Sequence, residues 1–562
     1  MKRYVPDGTP ESLTYPEGPL GAVLAGSARR YADRVALRDG ELTFTYDELY
    51  DSALRIAQAL RERGVRRGET VALHQPNSAW FTVTYFGILL AGAVVTPVNP
   101  ALPPLALRDQ LEEASTVAVF THPSTRATLD EAEIAGLRLT VLVPASDAAP
   151  APADADLSGT PLDELLKTAP GEPEGVSGDD VAHLSFTGGT TGRSKAVRVL
   201  HRNLVANVLQ MGSWRAAARP VCDEPGYIHL EHIPEARTPH TLAIGESTAV
   251  ALAPMFHAMG LVSQSVSVAT GLTVVIAGRF DPRKFVRLVE EQGVNTLPGS
   301  PALFHSLLAL PGIEDADLSS VKLVNSGAAP IDTNALKQLH GLFPNACIVE
   351  GYGLTEATMA LTTHPLLRDN PVPLGSVGAP LFDTELEIRE LGCGPVVPTG
   401  GTGEVWARGP QITDGYAGHP DLTAEQFQDG WLRTGDIGRF DEDGWLYLVG
   451  RAKDMLIYKG YNVYPGPLEE LLSQHPAVAS ASVIGALHAA AGEIPVAYVV
   501  ARPGHAAGAE LARELTEFVA ARVAPYQRVR EIHFIEALPV SAAGKILKTE
   551  LRQRHTVSLL QD

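Results

Sequence analysis

LSFTGGTTGRSK, residues 184–195, is an apolar run that opens into a loop of Gly and Thr and closes on a lysine. Such a loop suits phosphate. Gly188, Gly189 and Gly192 carry no Cβ to keep backbone N–H groups away from an anion, Thr187, Thr190 and Thr191 add hydroxyl donors, and Lys195 adds charge. In the P-loop of NTPases the lysine directly follows the last glycine, whereas Lys195 stands three positions after Gly192. The spacing argues against a Walker-type NTPase and for another phosphate loop. A flexible surface turn is the plainer alternative, and the rest of the chain has to decide.

The 562 residues are 45% hydrophobic, enough to bury more than one core, so two or more domains are expected. The formal net charge of -20 disfavours nucleic acid or an anionic membrane surface as the main partner. Any anionic ligand must therefore be met by local positive groups. Cys222, Cys347 and Cys393 are widely spaced and form no CxxC pair, so neither a disulfide framework nor a thiolate zinc site is expected. The first residues lack the apolar run of a signal peptide, and the most apolar segment, FGILLAGAVV at 86–95, is soon stopped by Pro97. A cytoplasmic protein that neither enters nor crosses a membrane is expected.

Around the loop, helical patterns such as YDELYDSALRIAQALRERG at 46–64 alternate with short β-branched runs such as TVALH at 70–74 and LTVVIAG at 272–278. That alternation predicts α/β layers. Residues 144–180, rich in Ala, Pro, Asp and Gly, read as a polar surface connection into the phosphate-loop strand. Residues 215–248 carry four prolines with His229, His232 and His240. No helical ligand spacing joins these histidines, so an exposed loop is expected rather than a metal centre, a segment that covers or shapes the active site being the alternative. A domain change is expected near 451–454, giving a large unit over 1–452 and a small one over 453–562.

Four further clusters join the loop. EGYGLTEA at 350–357 permits a sharp strand exit that presents Tyr352, Thr355 and Glu356 together: a ring to stack on a base, a hydroxyl for phosphate and a carboxylate for Mg²⁺. WLRTGDIG at 431–438 offers Asp436 to both hydroxyls of a ribose. GRAKD at 450–454 offers Arg451 as a matching donor, and PVSAAGKILK at 539–548 places Lys545 after a glycine.

With all five clusters in this order, and the weaker TYDEL at 45–49, PMFHAMGL at 254–261, SGAAPI at 326–331 and GYAGHPDLT at 415–423, the chain resembles the adenylate-forming superfamily of acyl-CoA synthetases, peptide-synthetase adenylation domains and luciferases. The likeness spans nearly the whole chain. It implies a large N-terminal domain of mixed sheets layered with helices and a small mobile C-terminal α+β domain. It also implies a two-step reaction: a carboxylate attacks the α-phosphorus of ATP, pyrophosphate leaves, and a nucleophile takes the acyl group from the adenylate. Positioned positive charge matters more to this chemistry than covalent help.

By the resemblance, Thr187 to Thr191, Gly192 and Lys195 hold the β and γ phosphates, Thr355 contacts phosphate and Glu356 binds Mg²⁺. Tyr352 with Gly327, Ala328 and Ala329 holds adenine, while Asp436 and Arg451 hold ribose. Lys545 bridges the attacking carboxylate and the nucleotide; its alternative reading is an exposed surface lysine. The small domain is expected to turn about Lys453 and exchange Lys545 for the loop of Lys459 and Gly460, where glycine leaves room for a pantetheine arm. His257 stands where relatives place a gating residue, or is a packed core histidine.

Some positions depart from the usual pattern: Gly188 for serine, Ser194 for proline, Ala196 for glycine and Pro467 for glutamate. Pocket positions by alignment are Met259, Ser263, Gln264, Gly299, Ser300, Gly327 and Gly351, which suit an aromatic or medium aliphatic acid. The leading expectation is an acyl-CoA or aryl-CoA ligase using ATP, Mg²⁺ and CoA. The alternatives are a relative with a non-CoA acceptor, forming an amide or activating nitrite against an aryl amine, and a nucleotide-binding regulator without turnover. Monomer and homodimer stay open.

Overall fold

The capping box that starts the helix Tyr46–Glu62 shows how local sequence sets these elements. Thr45 Oγ1 accepts from Glu48 N and Glu48 Oε2 accepts from Thr45 N, while Leu49, Ala53, Ile56 and Leu60 give the helix one buried face. The computed structural model describes residues 5–187, 195–327, 331–366, 373–488, 490–541 and 545–559.

Two largely parallel sheets build the body. The seven-stranded sheet runs from Thr160–Pro161 through Leu139–Leu142, Thr116–Thr121, Thr70–His74 and Val94–Pro97 to Val181–Thr187, with Lys195–Leu200 antiparallel at its edge. The nine-stranded sheet has a parallel centre from Val35–Asp39 to Cys347–Tyr352 and antiparallel strands at both ends. Helices supply the crossovers that parallel pairing requires. One continuous apolar core joins the two sheets, and a second fills the outer face of the larger one.

An antiparallel five-stranded sheet, containing Trp431–Phe440 and Leu446–Arg451, follows. After the short 3₁₀ turn Ala452–Asp454 comes a five-stranded mixed sheet with the helices Pro465–Ser473, Ala509–Ala520 and Lys548–Leu559. This last unit has its own core around Leu468, Val483, Val499 and Leu515. The architecture is α/β with a large N-terminal and a small C-terminal unit, as the sequence predicts. No helix among the described residues is long and apolar enough to cross a membrane, and all three cysteines are free thiols.

Two segments differ from their sequence reading. Residues 215–248 are not a loop throughout: Ala218–Glu224 and Tyr227–His232 pair as an antiparallel hairpin. Prolines suggested a loop, but a two-stranded ribbon is all edge, so Pro220 costs it no ladder bond, and Pro225 with Gly226 at φ +89° forms the turn. The hairpin lies so close to the helix Gly21–Tyr31 that a Cβ on Gly26 would stand 2.1 Å from Ile228 O. His229 is consequently buried rather than exposed. Among the described residues, the hairpin histidines take part in no cluster able to hold a metal. Within 144–180, Leu162 and Leu165 form the buried face of the short helix Leu162–Leu166, which follows the strand Thr160–Pro161, so part of that connection extends the sheet.

Candidate active site

The strand Cys347–Tyr352 ends in the 3₁₀ turn Thr355–Ala357. Only glycine fits between them at 353, since a Cβ there would meet Met359 O at 1.7 Å. The turn is fixed from several sides. Thr413 donates to Glu356 O through both N and Oγ1 at 3.0 Å, and Thr358, at φ +64°, donates through Oγ1 to Gln411 O at 2.7 Å. A threonine with positive φ is strained, and these bonds hold it there. The result is a stiff presentation of Thr355 and Glu356 to one cavity of about 460 Å³.

Glu356 Oε1 accepts from Tyr416 Oη at 2.8 Å, and Lys195 Nζ lies 5.3 Å from the centre of the Tyr416 ring. Burial first, then Glu356, raises the Tyr416 phenol far above its ordinary range, so it stays a donor. The strand Lys195–Leu200 is zipped to this segment by Ala417 N to Ala196 O at 2.9 Å and Arg198 N to Gly415 O at 2.9 Å. The lysine that closes the phosphate loop and the carboxylate of EGYGLTEA thus share a partner.

Asp436 and Arg451 face each other across antiparallel strands. Asp436 Oδ1 accepts from Arg451 Nε at 2.6 Å and Oδ2 accepts from Tyr352 Oη at 2.7 Å. Asp436 is buried, while the Arg451 side chain is 43% exposed. Lys545 reaches the same cavity from the C-terminal unit, where Ser541 N donates to Lys545 O at 2.8 Å. Lys545 is solvent-exposed at the mouth of the cavity; partial desolvation by the surrounding walls, then Arg451, pushes its ammonium below the usual lysine range, and Asp436 and Glu356 act the other way. His257 caps the helix Ala258–Ala269 and lines the cavity too. Burial first and Lys545 second push it down to about 4, so at neutral pH it is an uncharged imidazole.

Thr187, Lys195, Gly327, Tyr352, Thr355, Glu356, Arg451, His257 and Lys545 therefore line one cavity, with Asp436 bonded to two of them. Lys459 and Gly460 do not: they are exposed at the turn between Leu456–Tyr458 and Tyr461–Val463. Gly188, Gly189, Thr190, Thr191, Gly192, Ala328 and Ala329 lie outside the described residues. Of the pocket positions, Met259, Ser263, Gly327 and Gly351 line the cavity, whereas Gln264, Gly299 and Ser300 do not; Gln264 instead accepts from Thr82 at 2.8 Å in the core. Sequence reading missed Tyr416, although GYAGHPDLT carries it, and Arg215 of the helix His201–Ala216.

Beneath the site, Glu350 is buried on the same strand. Burial, then Glu470 of the C-terminal unit, raises its carboxyl to about 8 from an ordinary value near 4.5. A carboxyl raised by folding stabilises fully below its unfolded value, and that contribution is lost as pH climbs to about 8. Glu350→Gln is therefore expected to melt progressively higher than the parent chain as pH rises from 5.5 to 8.5. Thermal melts across that series check this; a gap constant with pH counts against it.

The AMP-binding enzyme family matches residues 24–417, and the AMP-binding enzyme C-terminal domain matches 467–545. The long-chain-fatty-acid–CoA ligase of Bacillus subtilis (strain 168) is 29% identical, with 98% of this chain and 97% of that protein covered. 4-coumarate–CoA ligase 5 of Oryza sativa subsp. japonica is 33% identical over 93% of this chain and 92% of its own. Among solved structures, the amide bond synthetase McbA from Marinactinospora thermotolerans superposes with a TM-score of 0.77 at 26% identity, covering 95% of this chain and 100% of that one. Matched over both units and carrying its cations and carboxylates around one cavity, the chain belongs to the AMP-binding enzyme family and is an ATP-dependent, AMP-forming ligase.

Proposed function

We propose that the enzyme activates an aryl or medium aliphatic carboxylic acid as its acyl adenylate and passes the acyl group to CoA. The observation that carries this reading is the meeting of Lys195, Arg451 and Lys545 with Glu356 and His257 on the wall of one cavity. A carboxylate oxygen attacks the α-phosphorus of ATP and the bond to the β-phosphate breaks; the CoA sulfur then attacks the acyl carbonyl and AMP leaves.

In this reading Lys195, Thr187 and the glycines after it hold the outer phosphates, Asp436 and Arg451 the ribose, and Tyr352 with Gly327 the adenine. Lys545 gathers the attacking carboxylate toward the α-phosphate. Glu356 suits Mg²⁺: one oxygen is steadied by Tyr416, and the other makes no hydrogen bond among the described residues, as a hard cation requires. The ion supplies charge neutralisation on the phosphates. His257, uncharged, separates acyl pocket from thiol path. The break between units is placed at 452/453, with Lys453 as hinge, and rotation there brings Lys459 and Gly460 to the site.

A second reading keeps adenylation and changes the acceptor to an amine, favoured by the likeness to an amide bond synthetase. Pyrophosphate release and product identity over a panel of acids, each with CoA, with an aryl amine, with both and with neither, alongside nitrite with an aryl amine, separate the two. A thioester is expected. An amide formed in the presence of CoA replaces the first reading with the second, and release only with nitrite and an aryl amine replaces both.

A further inference from the structure

The helix His201–Ala216 is buried along nearly its whole length, and its polar side chains are satisfied almost without exception. Asn203 Nδ2 donates to Pro410 O and Ile412 O, Asn207 Nδ2 to Ala360 O, Gln210 Nε2 to Phe382 O and Trp214 Nε1 to His364 O. Among the described residues the small hydroxyl of Ser213 is left without a partner, and the guanidinium of Arg215 makes no ion pair, burial being the one influence on it. Arg215 is 7% exposed and lines the cavity.

Its surroundings differ from those of Lys545 and Arg451. Asp436 and Glu356 act on both Lys545 and Arg451, but no acid acts on Arg215; burial alone lowers it, to about 10, which leaves it charged at neutral pH. Arg215 therefore stands apart from the carboxylates of the nucleotide end. Met211, one turn earlier on the same helix, and Ala360, whose carbonyl binds Asn207, line the cavity as well. An arginine buried without a counter-charge costs several kcal/mol, and folding does not by itself return that cost.

We propose that Arg215 anchors a second carboxylate on the acid substrate, remote from the one that is adenylated, so that the preferred substrates are dicarboxylic acids. The proposal rests on the acid-activating reading above. A guanidinium matches a carboxylate in two parallel hydrogen bonds, and the planar fork fixes where the far end of the substrate lies. Binding supplies the missing counter-charge. A monoacid of the same skeleton instead leaves the guanidinium desolvated and unpaired, the situation in which polar sites reject analogues most strongly.

The test measures pyrophosphate release with ATP and Mg²⁺ on matched pairs: butanoate and succinate, hexanoate and adipate, benzoate and terephthalate. In at least one pair the diacid is expected to exceed the monoacid in kcat/KM by on the order of 10²-fold or more. Arg215→Met is expected to collapse that ratio toward one, Arg215→Lys to keep part of it, and Arg215→Met to melt higher than the parent because an unpaired buried charge is gone. A monoacid preferred in every pair overturns the proposal without any variant. So does a ratio that survives Arg215→Met, or a lower melting temperature with the ratio intact, which marks a structural arginine. Monoacids converted to thioesters while diacids are refused sink only the role of Arg215; no release with any acid sinks the ligase reading and this proposal together.

Discussion

Lys545→Ala is expected to slow pyrophosphate release about 10³-fold while ATP still binds. The side chain is one of two lysines, with Lys453, that the C-terminal unit brings to the cavity, and it sits where Arg451 repels it and Asp436 and Glu356 attract it. As the carboxylate meets the α-phosphate, two anions must approach. A single cation about 4 Å away is worth about 4 kcal/mol at an effective dielectric of 20, and that difference is roughly a factor of 10³ in rate. Lys195 and Arg451 remain to hold ATP, so affinity should fall far less. Single-turnover release of pyrophosphate gives the rate, and equilibrium ATP binding gives the affinity. Thioester formation from preformed acyl adenylate should suffer little, since the small domain is proposed to have carried Lys545 away by then. An unchanged release rate removes Lys545 from the chemistry.

The parts of this site that were readable from sequence are those in which one short segment carries both the special backbone and the functional side chain. EGYGLTEA is the clearest case: Gly353 permits the close approach to Met359 O, and Thr355 and Glu356 follow within three residues. Asp436 and Arg451 were readable separately, and the ladder then joined them. What escaped depends on contacts between distant segments. Tyr416 matters because the strand Lys195–Leu200 pins it beside Glu356, a pairing across more than 200 positions with no local pattern. Arg215 reads locally as an ordinary polar residue near the end of a helix; only the packing of that helix on both sides reveals it as buried and unpaired. The hairpin after it was hidden by its prolines, which an unpaired ribbon edge accepts.

Asp436→Asn should act on the other kinetic constant. Asp436 is buried and holds two partners at once, Arg451 through one oxygen and Tyr352 through the other. Asparagine keeps the size and one acceptor but removes the charge that pairs with Arg451 and that a ribose hydroxyl would use. A hydrogen bond to a charged group is worth about 1.5–3 kcal/mol, so kcat/KM for ATP should fall roughly 10- to 150-fold. The lower end is the better expectation for the Arg451 side of the pair, because that side chain is 43% exposed and screened by solvent. The loss should appear as a raised KM for ATP with kcat nearly kept, since ribose contacts are made equally in ground and transition states. Lys545→Ala should show the reverse split. If Asp436→Asn lowers kcat and leaves KM alone, the carboxylate works through Tyr352 and Arg451 on the geometry of the reacting atoms rather than on the nucleotide, and the ribose assignment fails.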